Sequence, residues 1–208
     1  EKKEDGIVSV KENRSQIKLA LVCRWIIFLG TGAALFAPMI VGTGYFFPFV
    51  GLKSIYFMAL AEIIFVAWLI LIFVAPKYKP RLNALLLALV LFSVVLVLSS
   101  VFGVDFSRSF WSKYERMAGL LMHLHLFAFF LVVSSVFRKK DWLKIFGISL
   151  FAAILISIMS LFPKIGTTFL GEIIDISRGG VTLGNSSFLG TYLLFNFFLS
   201  LYLIFNLK

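Results

Sequence analysis

The sequence predicts an all-α, polytopic membrane protein of about six transmembrane helices. Three observations predict it. The 208 residues are 61% hydrophobic and only 14% charged, where a soluble domain is about half apolar and about a quarter charged. Apolar runs of ~20 residues recur along the whole chain, the length at which a helix crosses ~30 Å of hydrocarbon. Segments carrying polar and charged residues separate these runs. Together they exclude a water-soluble globular protein, a disordered tail and a secreted disulfide scaffold. The single cysteine, Cys23, has no second thiol to pair with inside the chain. Twenty Lys and Arg against ten Asp and Glu give a formal charge of +10. In a soluble chain that excess would raise nucleic-acid binding. Between apolar spans it reads as a topology signal, and no nucleic-acid partner is expected.

The elements follow in order. Residues 1–18 form a polar, mixed-charge segment, and spans are predicted at about 19–41, 55–75, 82–101, 117–136, 143–162 and 185–206. No small-residue cleavage site follows the first apolar run, so it reads as an uncleaved anchor. The apolar tract from Leu19 to Leu52 outruns one span. Pro38 and Gly42/Gly44 are expected to end or kink that helix, leaving Phe46-Phe-Pro-Phe49 at the interface. The connections at Pro76–Arg81 and Arg138–Trp142 are short and basic. The segments near 42–54, 102–116 and 163–184 instead carry aromatics, glycines and paired charges, a chemistry suited to the headgroup level. Six spans of ~20 residues leave no room for a separate soluble domain. No internal repeat or heptad is visible.

Basic residues orient the bundle. Fourteen Lys and Arg fall on the side of the amino terminus and six on the other: Lys53, Arg108, Lys113, Arg116, Lys164 and Arg178. The positive-inside rule then puts the amino terminus in the cytoplasm and the aromatic segments outside.

Ionisable residues inside the membrane are costly and are functional candidates. Glu62 lies seven residues into the second span as counted from Ile55, ~10 Å below its outer boundary. His123 and His125 open the fourth span, and Asn185 the sixth. Arg24 lies near the cytoplasmic end of the first and can snorkel. Each has a plain structural alternative: Glu62 pairing with a cation to hold the bundle, or Glu115 and Arg116 forming an interfacial salt bridge. His123 and His125 stand ~200° apart around a helix, and with no Cys or Asp cluster nearby no metal is expected. Gly180-x-x-x-Gly184 begins outside its span and is a weak packing motif. No Walker loop, dinucleotide fingerprint or Ser/His/Asp set is present, and no cofactor is expected. What remains is a concentration of Arg108, Lys113, Arg116 and Arg178 beside Trp111, Tyr114 and the glycines of 179–184. Arginines capture phosphate bidentately and glycines let backbone N–H groups approach an anion. A lipid-linked diphosphate suits such a surface.

Several segments also carry a family likeness. Phe46-Phe-Pro-Phe-Val50, Glu62 within Ala61-Glu-Ile-Ile-Phe-Val-Ala-Trp68, and Val104 to Gly119 follow one another in register with His125-Leu-Phe-Ala128, Arg138-Lys-Lys-Asp-Trp142, Thr182-Leu-Gly-Asn185 and Tyr192-Leu-Leu194. Over about residues 40–200 this series resembles the bacterial O-antigen ligase family, which includes related polysaccharide polymerases. The resemblance implies half of a bundle of about twelve helices in the bacterial cytoplasmic membrane. It implies metal-independent transfer of a glycan from undecaprenyl diphosphate at the outer face. The acceptor would be lipid A core, a growing glycan or, in related oligosaccharyltransferases, a protein hydroxyl. By position, Arg178 resembles the family arginine ahead of the Gly-Asn motif and Asn185 that motif's asparagine. Glu62, Glu115, Arg116 and His125 match recurring positions. The family's catalytic histidine lies in a later loop and is expected beyond Lys208, so the chain reads as a fragment, inactive by itself. Two departures stand out: Gly184-Asn-Ser-Ser187 replaces the usual Gly-Asn-Pro-Asn, and Val181 stands where a glycine usually precedes Thr-Leu-Gly. Two other classes compete. One is a transporter or flippase for an amphipathic solute, which would place polar residues near the midplane, often in repeated halves. The other is a non-catalytic membrane scaffold.

Overall fold

The computed structural model describes residues 2–42, 47–113, 116–162 and 180–206, with side chains from Arg14 onward. Among these residues the chain is helical throughout, with no strand. This is how a backbone without water must satisfy its N–H and C=O groups. The helices are α1 (Lys2–Ala34), α2 (Gly51–Val74), α3 (Ala84–Val101), α4 (Phe106–Trp111), α5 (Leu120–Val136), α6 (Lys139–Leu161) and α7 (Ser186–Asn206). Among the described residues, five stretches are long and apolar enough to cross a membrane: Arg14–Met39, Gly51–Val74, Ala84–Val101, Lys139–Leu161 and Ser186–Asn206. The protein therefore carries the architecture of a multi-pass membrane protein. The predicted fourth span is the exception. As α5 it has 17 residues, ~26 Å at 1.5 Å per residue and shorter than the hydrocarbon core. Helix also reaches back from the first span through the polar amino-terminal segment to Lys2.

Local chemistry sets the helix ends. Pro38 has no N–H to donate to Ala34 four residues earlier, and α1 stops at Ala34 and tightens into a 3₁₀ turn at Ala37–Met39. Asn83 caps α3, its Oδ1 accepting from the Leu86 N–H at 2.7 Å. Asp105 caps α4 by accepting from the Arg108 N–H at 2.9 Å. Asp141 in the first turn of α6 accepts from the Arg138 N–H at 3.0 Å and favours the positive end of the helix dipole.

Two packed clusters hold the helices together. In the first, one stripe of α1 (Cys23, Ile27) meets one stripe of α2 (Ile64, Trp68, Leu71) and the end of α5 (Val132, Val136). The small residues of α1 bring it close to α2. A Cβ on Gly30 would lie 2.5 Å from Ile64 Cγ2, and Ile64 is fully buried. Close approach through small residues is the usual basis of helix association where lipid removes the hydrophobic drive. In the second, Ile156 and Met159 of α6 pack with Leu189 of α7 and with Val181 in the 3₁₀ turn Val181–Leu183. Ser149 Oγ donates to Asn196 Oδ1 at 2.8 Å and ties α6 to α7. Helix α3 packs on α5 and turns Leu85, Leu87, Leu91 and Val95 outward, as a lipid-facing helix does.

The connections gather at two ends. At the basic end, Trp68 Nε1 donates to the Tyr78 carbonyl at 3.3 Å. The Arg24 guanidinium lies 5.7 Å from the Tyr78 ring centre and 3.6 Å from Asp141. Arg24 thus bonds to neighbouring helices instead of only snorkelling. At the aromatic end, the turns at 37–39, 47–50, 117–119 and 180–185 and the first turn of α2 come together.

Gly30→Ala forces Ile64 to move and is expected to destabilise the bundle by about 1–3 kcal/mol, the cost of overpacking. Gly147→Ala, with nothing within 4 Å of its Cβ, is expected to be neutral or stabilising by up to about 1 kcal/mol. Thermal unfolding of the two variants in one detergent tests the contrast.

Candidate functional site

The polar side chains within the helices satisfy themselves first along their own helix. His123 Nδ1 lies 2.9 Å from the Gly119 carbonyl and His125 Nδ1 2.7 Å from the Leu121 carbonyl. A carbonyl only accepts, so both Nδ1 atoms carry hydrogen. This leaves His125 Nε2 facing α2, where it meets Glu62 Oε1 at 3.0 Å. With Nδ1 already protonated, one proton lies between Nε2 and the carboxyl group. The pair is either imidazolium with carboxylate or imidazole with carboxylic acid, and it is neutral as a whole in both. That neutrality lowers the cost of two ionisable groups at membrane depth. His123 lies on the exposed side of α5, so the two histidines do not converge, as their spacing predicted.

Helix α2 begins at Gly51, four residues before the predicted span, so Glu62 lies ~17 Å along it, at its middle. The Glu62 side chain is 68% exposed while that of His125 is 14% exposed. A cavity of about 200 Å³ opens beside the pair, lined by Ala61, Phe65, Leu121, Leu124 and Ala128.

The aromatic end contains a second polar link. The Lys53 ammonium, near the start of α2, donates to the carbonyl of Thr182. Thr182 is fully buried, and its Oγ1 has no hydrogen-bond partner among the described residues. The turn around it is held in backbone conformations that suit glycine. Val181 has φ +45° and Gly184 φ +72°, and a Cβ on Gly184 would lie 2.7 Å from the Phe49 ring. Val181 is the position at which the family resemblance expects glycine, and its left-handed backbone carries the strain that a β-branched residue meets there. Ser112 and Met117, at φ +67° and +45°, lie in the loop before α5, whose Met117 sulfur sits beside Gly51.

The remaining sequence candidates divide. Asn185 Oδ1 accepts from the Ser187 N–H at 2.8 Å and caps α7, a structural role. Arg116 is exposed, and its backbone N–H donates to the Lys113 carbonyl at 3.0 Å. Arg178 and Glu115 lie outside the described residues. The structure therefore joins Glu62 to His125 and leaves Arg116 apart from them. Sequence reasoning counted Lys53 only as a topology charge. The available signal was a lone cation in the first turn of an otherwise apolar helix.

No protein-family model, curated protein or solved structure matches the chain.

Two outcomes follow from this geometry. A double-mutant cycle with Glu62→Gln and His125→Asn is expected to return a favourable coupling of about 0.6–2 kcal/mol, as for interhelical hydrogen bonds in membranes. Unfolding in detergent measures it. Val181→Gly removes strain whereas Val133→Gly adds a helix defect. With both side chains buried to a similar degree, the first is expected to cost about 2 kcal/mol less.

Proposed function

We propose that this chain is the amino-terminal part of an O-antigen-ligase-like glycosyltransferase. It would transfer a glycan from undecaprenyl diphosphate to an acceptor at the outer face of a bacterial cytoplasmic membrane. The observation that carries the proposal is the Glu62–His125 hydrogen bond. Two positions picked out by the family resemblance, 63 residues apart, meet at 3.0 Å on adjacent helices. The 14-to-6 distribution of basic residues supports a cytoplasmic amino terminus and an outward aromatic end. In this reading Arg178 and Arg116 bind the carrier diphosphate and stabilise the charge on the leaving group. Glu62 and His125 position the sugar or the arginines from the bundle, and further helices cover the exposed face of Glu62. Ligation, polymerisation of O-antigen and transfer to a protein hydroxyl share this chemistry.

A second reading has its own observation. Glu62 sits halfway along α2, the depth at which a transporter or flippase holds a carboxylate–imidazole pair for coupling or binding. One experiment separates the two. In the complete protein, Arg178→Ala is expected to abolish glycan transfer from the undecaprenyl-diphosphate donor while membrane insertion is unchanged. Normal transfer by that variant overturns the transferase assignment. Loss of proton-coupled solute uptake in Glu62→Gln, with no transfer activity in the parent, would establish the second reading.

A further inference from the structure

At the basic end, opposite the site just described, a cavity of about 430 Å³ lies between the turn after α2, the first turn of α3 and the last turn of α5. Four cations line it, Lys77, Lys79 and Arg81 from the turn and Arg138 from the start of α6, and no carboxylate does. Among the described residues none of the four has a salt-bridge partner. Such a recess concentrates positive potential, and the carboxylate beside it, Asp141, is taken up by the Arg138 backbone N–H and by Arg24. The amino terminus of α3 adds its dipole to the same space. Asn83, whose Oδ1 is taken by the Leu86 N–H, has its side-chain NH₂ left as a donor there.

The floor of the recess is apolar, formed by Leu86, Phe130 and Val136. One turn further along the same two helices begins a groove of about 260 Å³ with no polar surface, lined by Val90, Val94 and Leu98 of α3 and by Leu124 and Phe127 of α5. On the lipid side, Leu82 and Leu85 are exposed beside the mouth of the recess. A free phosphate would use the recess and leave the groove empty. A molecule with an anionic head and an apolar tail uses both.

We propose that the recess and groove form a binding site for one anionic phospholipid, with its phosphodiester among Lys79, Arg81 and Arg138 and an acyl chain between α3 and α5. The site rests on the membrane reading alone and is independent of glycan transfer. It is sequence-distributed: its cations come from two loops, and neither loop alone encloses a headgroup.

The test is native mass spectrometry of the full chain released from vesicles of equal parts phosphatidylglycerol and phosphatidylcholine. The wild-type chain is expected to retain phosphatidylglycerol about tenfold more than phosphatidylcholine, from cations each favouring an anionic lipid. Lys79, Arg81 and Arg138 are exposed, so replacing all three with Gln spares the fold and is expected to remove that preference. A charge-matched control with Lys2, Lys3 and Lys11 replaced by Gln is expected to keep it. Val94→Trp, which fills the groove, is expected to reduce retention with the cations intact. Equal retention of the two lipids by the wild type overturns the proposal, as does equal loss in the triple variant and the charge-matched control. Full displacement of phosphatidylglycerol by inorganic phosphate assigns the recess to a free anion and overturns the lipid assignment.

Discussion

Within the bilayer, no water is available to satisfy a polar group, and every such group must find its partner in the protein. That constraint organises the structure at the scale of single side chains. Ser93 donates to the Leu89 carbonyl, Ser157 to Ala153 and Thr191 to Ser187, each one turn back along its own helix. The histidines do the same through Nδ1. This local satisfaction has a consequence between helices. An imidazole that has donated one N–H along its own helix has a single nitrogen left for a neighbour, so His125 can offer Glu62 only Nε2. The hydrogen bond between the two helices therefore runs through Nε2, because Nδ1 is committed to the Leu121 carbonyl within α5. Asn196 shows the same logic: its Nδ2 donates to the Tyr192 carbonyl and its Oδ1 accepts from Ser149.

The two ends of the bundle answer the constraint differently. At the basic end charge is abundant, and what holds the turns is a buried aromatic. Tyr78 takes the Trp68 N–H on its carbonyl while Arg24 and Lys77 lie against its ring. Asp141 caps α6 and also meets Arg24 at 3.6 Å, a partly exposed contact whose contribution to stability is modest. At the aromatic end backbone carbonyls accept from the side chains of α2. Lys53 bonds to the Thr182 carbonyl, and Tyr56 donates to that of Ala33 at 3.0 Å. Left-handed backbone at Ser112, Met117 and Val181 accumulates at this end, the pattern expected where a loop is shaped by its surroundings for a site instead of by its own residues.

The sequence made the helices legible and the contacts largely illegible. The caps at Asn83 and Asp105 and the short helix α4 were not among the sequence expectations, whereas run length marked the spans and Pro38 the stop of α1. Those signals act over a few residues, so they survive without knowledge of the fold. The start of α2 was expected four residues later because residues 51–54 read as loop, although nothing in them opposes a helix once Val50 turns the chain. The shortness of α5 was hidden because Met117 to Gly119 are as apolar as a helix but are bent by a left-handed Met117.

The sequence by itself therefore determined the class, the order of helices and the sign of charge at each end. These depend on hydropathy and on neighbours a few residues apart. Only the tertiary structure decided which polar groups meet. Glu62 and His125 are 63 residues apart and Lys53 and Thr182 are 129 apart. Whether they face one another depends on how each helix is rotated about its axis. That rotation is set by packing, as where Gly30 lets α1 close onto Ile64 of α2, and nearly uniform apolar helices carry almost no periodicity from which it could be read.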